Sequence, residues 1–348
     1  MRRGLMGWSE ADLPVAALKR RQSLLQEELK KAGLGGLVLY TNLARPAAVS
    51  FLTGFTPYWS EGLLFVPVSG EPVFATALSK RVSEWIRSVM PIGSIENTPQ
   101  PAAAIGRKLA EAKVGKVGVL ELDLFPAAQA QALQGSDGAV ALEDASALFR
   151  AVRLQVDAAE LSLVRRADDL ARHCLESFDR SGDARAMAAD IEARARLAGA
   201  EEVFVGINPD PGRSSAFLRC DRLGDLNKDF AIRLSLARKG SWVRRTITLT
   251  RAPDQQSALA AADAAFAQAL ASPSAVVALK TLQDGFPGKL SAWSVEACVG
   301  SYPLEVVASS GGTPALSDIL PVSVVSVQGE VNGTTWLGAG PVIGEART

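Results

Sequence analysis

The sequence predicts a two-domain α/β chain, an α/β layer domain followed by a domain that mixes helices with longer strands. Three observations predict it. Its 348 residues exceed what one ordinary core encloses. Short apolar runs alternate with amphipathic helical patterns as far as residue 150, the order of an α/β layer. Beyond that point come two helical patterns, a long alternating hairpin, two more helical patterns and a series of strand-like runs.

In order, residues 15–32 have helical periodicity, and 37–40 form a short apolar strand entered through Gly35 and Gly36. Residues 51–55 close a helical turn, 62–68 and 72–76 are strands joined by a turn at 69–71, and 82–89 are helical. A helix at 101–112, a strand at 116–120, a helix after Pro126 and a short strand at 139–142 complete the first domain. The boundary falls at 149–156, giving domains of 1–152 and 153–348. Asp157 and Glu160 make a capping-box pattern, and Leu161, Val164, Leu170, Cys174 and Phe178 form one apolar helix stripe. Asp183 caps a second helix through residue 197; helices at 257–271 and 275–282 and strands at 304–308, 321–327 and 336–343 follow.

The second domain is organised around residues 229–250. Phe230, Ile232, Leu234 and Leu236 alternate with Ala231, Arg233, Ser235 and Ala237. In the next run Ile247 and Leu249 share one face, and Trp242, Arg244, Thr246, Thr248 and Thr250 share the other. Lys239 and Gly240 signal the turn of an antiparallel hairpin. Symmetry about Arg238 and Lys239 sets Arg233 directly opposite Arg244, two like charges that destabilise a ladder unless an anion or water lies between them.

This hairpin resembles the metal hairpin of the creatinase, prolidase and aminopeptidase P family. There an apolar residue, Asp, Leu and Gly precede a turn ending in Gly-Tyr, and a second Asp precedes Ile-Thr-Arg-Thr. Here Arg233-Leu234 stand at the first Asp, Gly240-Ser241 at the Gly-Tyr, and Arg244 to Thr248 where the second Asp begins its run. VSFLTGFTPYWSEGLLFVPVSGEPVFA (49–75) is similar to the family's N-terminal domain, and FRAVRLQVDAAELSLVRRADDLA (149–171) to the entry of its catalytic domain. The resemblance implies a creatinase-like N-terminal α/β domain followed by a pita-bread (α+β) domain. It also implies a pair of divalent ions held by two Asp, one His and two Glu, which lower the pKa of a bridging water.

At the matching positions this chain has Arg233, Arg244, Val299-Gly300, Gln328 and, near the last Glu, Gly338. Its one histidine, His173, lies on the first helix of the second domain. Permanently protonated guanidiniums do not hold a divalent cation, so no metal and no cofactor are expected, and metal-dependent Xaa-Pro peptidase activity is disfavoured.

Two uses of the substituted pocket stay open. Arg233 and Arg244 form internal salt bridges with Glu330, Asp221, Asp225 or Asp229, or they bind an anion bidentately, with Trp242, Thr246, Tyr302, Gln328 and Glu330 completing the pocket. The expected function is a metal-free pseudo-enzyme, a small-anion-binding or scaffold subunit. It would act as a homodimer or paired with a related metal-containing chain. The alternative is a metal-independent hydrolase of a small amide or guanidino substrate. Its catalytic residues are unknown; Glu201, Glu202, Asp210, Asp221 and Glu330 qualify by type only, and Cys220 lacks a histidine base.

Charge and composition narrow the classes. Basic and acidic residues number 37 each, so no net field attracts nucleic acid or an anionic membrane. Without an eighteen-residue apolar run or a signal-peptide pattern, a cytoplasmic protein is expected. Cys174, Cys220 and Cys298 have neither disulfide-framework nor zinc spacing. No dinucleotide or phosphate-loop motif occurs.

Overall fold

A computed structural model describes residues 7–57, 60–135, 138–181, 183–219, 225–311 and 320–346. These divide into two compact units. One runs to residue 159 and takes in 298–303; the other consists of 160–297 and the residues from 304 on.

The first unit opens with α1 (Val15–Lys31), which buries Leu18, Leu25 and Leu29 at helical spacing. Arg21 shares that stripe at 5% exposure. Its burial is tolerated because its hydrogen bonds are made. Nε and Nη2 donate to the two Asp157 oxygens at 2.7 and 2.9 Å, and Nη1 donates to the Phe51 carbonyl at 2.9 Å.

β1 (Gly36–Thr41) and α2 (Ala47–Thr53) follow, the helix ending at left-handed Gly54, φ 74°. Next come β2 (Gly62–Pro67), β3 (Val73–Thr76), α3 (Ser83–Val89), β4 (Ser94–Asn97), α4 (Pro101–Glu111) and β5 (Lys116–Val119). α5 (Ala127–Gln134), β6 (Ala141–Asp144) and α6 (Ser146–Arg153) close the unit.

The mixed sheet runs β4-β3-β2-β1-β5-β6. Strand alternation explains its two cores: Leu37 and Leu39 enter one, Val38 the other. Sequence patterning did not anticipate β4, a four-residue strand with no fully buried position.

In the second unit, α7 (Ala158–Ser177) buries all of the predicted stripe from Leu161 to Cys174, with Phe178 just beyond its end. α8 (Ala184–Leu197) is capped by Asp183, whose carboxylate accepts from the Arg185 and Ala186 amides at 2.9 and 2.8 Å. There follow β7 (Glu202–Asn208), β8 (Asp229–Arg238), β9 (Ser241–Thr250), α9 (Pro253–Leu270) and α10 (Ala275–Gly285). β10 (Lys289–Ala297), β11 (Glu305–Ser309), β12 (Val322–Val331) and β13 (Thr334–Ile343) complete the chain. β7 and β10 were not legible as strands.

The seven strands form one antiparallel sheet in the order β11-β10-β12-β13-β9-β8-β7. Ile232, Leu234, Leu236 and Val243 share a core with the α7 and α8 stripes. The alternate residues of β8 and β9 therefore face the other way.

The hairpin register corrects the sequence expectation. Arg238 pairs with Ser241, so the turn consists of Lys239 and Gly240, at φ 51° and 75°. Positive φ at both central residues makes this the two-residue turn whose twist matches the strands. A turn at Arg238 and Lys239 would have required two non-glycine residues at positive φ. Arg233 thus opposes Thr246, Arg244 opposes Ser235, and the arginines are diagonal neighbours. No helix among the described residues is long and apolar enough to cross a membrane.

Candidate functional site

The face turned away from α7 and α8 consists of rows of cross-strand partners. Arg233 pairs with Thr246, Thr246 with Ala339, Ala339 with Ser326 and Ser326 with Ser294. The adjacent row joins Phe204, Ser235 and Arg244; by the same register Pro341 comes next, then Val324 and Glu296. Gln328 lies one row beyond Ser326 on this face, across from Leu337. Gly338 faces the opposite side, where an added Cβ would meet the Trp336 ring. Ala339 is therefore the β13 residue that meets the Arg233 row.

The two arginines have different surroundings. Arg244 Nε donates to Ser235 Oγ at 3.0 Å, and Nη1 forms an ion pair with Glu296 Oε2. β13 and β12 separate β9 from β10, so the pair spans three strand spacings of roughly 4.8 Å each. Both side chains must lie extended across Pro341 and Val324. A β-bulge at Val295 and Glu296 marks the point where β10 presents this carboxylate.

Arg233 Nε donates to Thr246 Oγ1 at 3.3 Å, and no carboxylate among the described residues forms an ion pair with it. Its guanidinium instead lies 3.9 Å from the Phe217 ring centroid. That contact has a local cause. After β7 the chain doubles back, Leu218 bridges Ile207, and Phe217 comes over Gly206, the cross-strand partner of Arg233. An added Cβ at Gly206 would stand 3.1 Å from the Phe217 Cβ. Burial lowers the Arg233 pKa to about 10, the Arg244 charge pushes the same way, and Glu296 opposes it. Arg233 remains a cation at neutral pH.

The other expected residues are dispersed. Trp242 is on the arginine face, stacked on Phe204 with centroids 5.8 Å apart and planes at 16°. Glu330, expected to neutralise the arginines, is exposed and lies four residues along β12 from Ser326, about 13 Å at strand rise. Glu296 is the partner instead. Asp229 accepts from Thr250 Oγ1 at 2.6 Å, and Asp225 lines a cavity of about 480 Å³ with Asp210, Arg213 and Asn227.

Tyr302 belongs to the segment grouped with the first unit, where its hydroxyl accepts from Arg45 Nε at 2.9 Å; Val299 is in that segment too. Glu201 accepts from the Gly240 amide at the hairpin turn, and Glu202 begins β7. His173 is exposed on α7. Cys220 and Asp221 lie outside the described residues.

Sequence reasoning missed Glu296, Phe217, Phe204, Ser235 and Ser326. A lone acidic residue inside the run SAWSVEACV was the one available signal, and nothing in it named Arg244 as partner.

Residues 21–155 match the Creatinase/Prolidase N-terminal domain family. They form a creatinase/prolidase N-terminal domain. After it, the chain has the pita-bread domain fold of the prolidases. The prolidase of Pyrococcus horikoshii superposes with a TM-score of 0.68 at 12% identity, covering 94% of this chain and 96% of that one. An Xaa-Pro dipeptidase from Bacillus anthracis gives 0.67 at 14% identity, covering 94% and 95%. The N-terminal domain of a FACT complex subunit from chickpea, Cicer arietinum, gives 0.60 at 13%, covering 94% of each chain. No curated protein matches by sequence.

The creatinase/prolidase resemblance implies a dinuclear metal site, and the side chains on the arginine face do not fit one. Hard divalent cations need converging carboxylate or imidazole donors. The corresponding rows present two guanidiniums, small hydroxyls and Ala339, and Glu296 is already committed to Arg244. Among the described residues no group of three or more His, Cys, Asp or Glu is placed to hold a metal ion.

Proposed function

We propose that this chain is a metal-free pseudo-enzyme of the creatinase/prolidase fold. It binds a small anion at Arg233 and serves as a subunit, paired with itself or with a metal-bearing paralogue. The observation that carries this reading is the unequal treatment of the two arginines. Glu296 is ion-paired with Arg244, while Arg233 lies under Phe217 with no ion-paired carboxylate among the described residues. A fully internal network of the described residues would pair both. The chickpea FACT domain, named as part of a complex subunit, supports a subunit role for a chain of this architecture. Hydrolysis without metal would need a free base, and the carboxylate that reaches the arginine pair is held in an ion pair.

Native mass spectrometry of the protein purified from its own host, with metal analysis of the same sample, tests the proposal. The expected result is a dimer, of this chain or with a related one, in which this chain carries no stoichiometric metal. Stoichiometric metal on this chain alone, together with dipeptide hydrolysis that a chelator abolishes, would refute it.

A further inference from the structure

In the two cross-strand rows that hold the arginines, the described residues carry one excess positive charge, because the Arg244 and Glu296 pair is neutral. Taking the anion-site reading as its basis, this count discriminates among anions. A dianion such as hydrogen phosphate would leave one negative charge uncompensated on a partly buried face; a monoanion would not.

Geometry narrows the ligand further. Phe217 covers the Arg233 guanidinium from one side, leaving its planar edge to pair with a carboxylate. Thr246 Oγ1, already accepting from Nε, keeps a hydroxyl proton to donate. Phe204 lies two residues along β7 from Gly206, so its backbone is about 7 Å from the Arg233 row. It is 59% exposed and stacked on Trp242, which presents an aromatic surface on the same face of the sheet. An aromatic pair left open one row from a guanidinium without an ion-paired carboxylate among the described residues suits a ligand with one apolar end and one charged end.

We propose that Arg233 holds the carboxylate of a small aromatic monocarboxylic acid, whose ring extends onto the Phe204 and Trp242 pair. Three probes separate charge, shape and valence: sodium phenylacetate, its neutral isostere phenylacetamide, and inorganic phosphate, each titrated calorimetrically into the full chain. Phenylacetate should saturate the site, while the amide binds about tenfold more weakly, the loss of one charge-assisted pairing. Arg233→Met should weaken phenylacetate by about the same factor, and Trp242→Ala by about fivefold.

Glu296→Gln removes the neutralising charge and should shift the preference toward phosphate. If Arg233→Met does not fold, the wild-type series and Trp242→Ala still decide. Equal affinity for phenylacetate and phenylacetamide would overturn the inference. Phosphate bound in an Arg233-dependent way, with no phenylacetate binding, would overturn it and leave the anion site standing. Binding of neither anion would overturn both.

Discussion

Replacing Glu296 by Gln tests the charge balance of the arginine face most directly. The variant keeps the side-chain shape and one acceptor for Arg244 but removes the charge that offsets two guanidiniums. At an effective dielectric of about 20, opposite unit charges about 4 Å apart attract by about 4 kcal/mol, and the variant loses this attraction between Glu296 and Arg244. The side chains of Arg244 and Glu296 are 22% and 11% exposed, so solvent screens the pair only in part. That screening, and the neutral hydrogen bond that Gln still offers, bring the expected loss to about 3 kcal/mol, the lower end for breaking a buried pair. The assay is urea unfolding of wild type, Glu296→Gln, Arg244→Met and the double variant. Removing both partners should recover about 2 kcal/mol of the summed single losses, because no orphaned charge remains. A coupling energy below about 0.5 kcal/mol would refute the reasoning, since independent sites add within that margin.

Three further outcomes follow from the same geometry. Burial lowers the Arg233 pKa from the ordinary arginine value to about 10, so the folded chain holds this proton less tightly than the unfolded chain. Its charge therefore opposes folding below about pH 10, and the penalty is relieved as pH rises above that value toward the ordinary arginine pKa. Without bound anion, Arg233→Met should be more stable than wild type at pH 7 by about 1–3 kcal/mol, with the gap narrowing above pH 10; a less stable variant would contradict this. Gly206→Ala should cost about 1 kcal/mol by displacing Phe217, and should lower anion affinity in the calorimetric titration. Arg21→Met, which removes both bonds to Asp157 and the one to Phe51, should destabilise the first unit by about 3 kcal/mol in thermal unfolding.

The order of apolar and polar residues alone dictates which face each residue of the hairpin occupies. Period-2 alternation puts Arg233, Trp242, Arg244 and Thr246 opposite Ile232, Leu234 and Ile247, and the strands obey it because one face packs on α7 and α8. The helix stripe of α7, the Asp183 cap and most of the first unit's strands were legible for the same local reason.

What alternation leaves undetermined is a slip of two in the sum of paired residue numbers, which preserves every face. Turn stereochemistry at Lys239 and Gly240 settled it and made the arginines diagonal. The partner of Arg244 lies beyond any local rule. Glu296 is 52 residues away in sequence, on a strand that pattern reading did not find, and two other strands come between them in the sheet. Only tertiary order brought that carboxylate to one guanidinium and left the other without it, because strand order and long-range pairing depend on the packing of the whole sheet rather than on neighbouring residues.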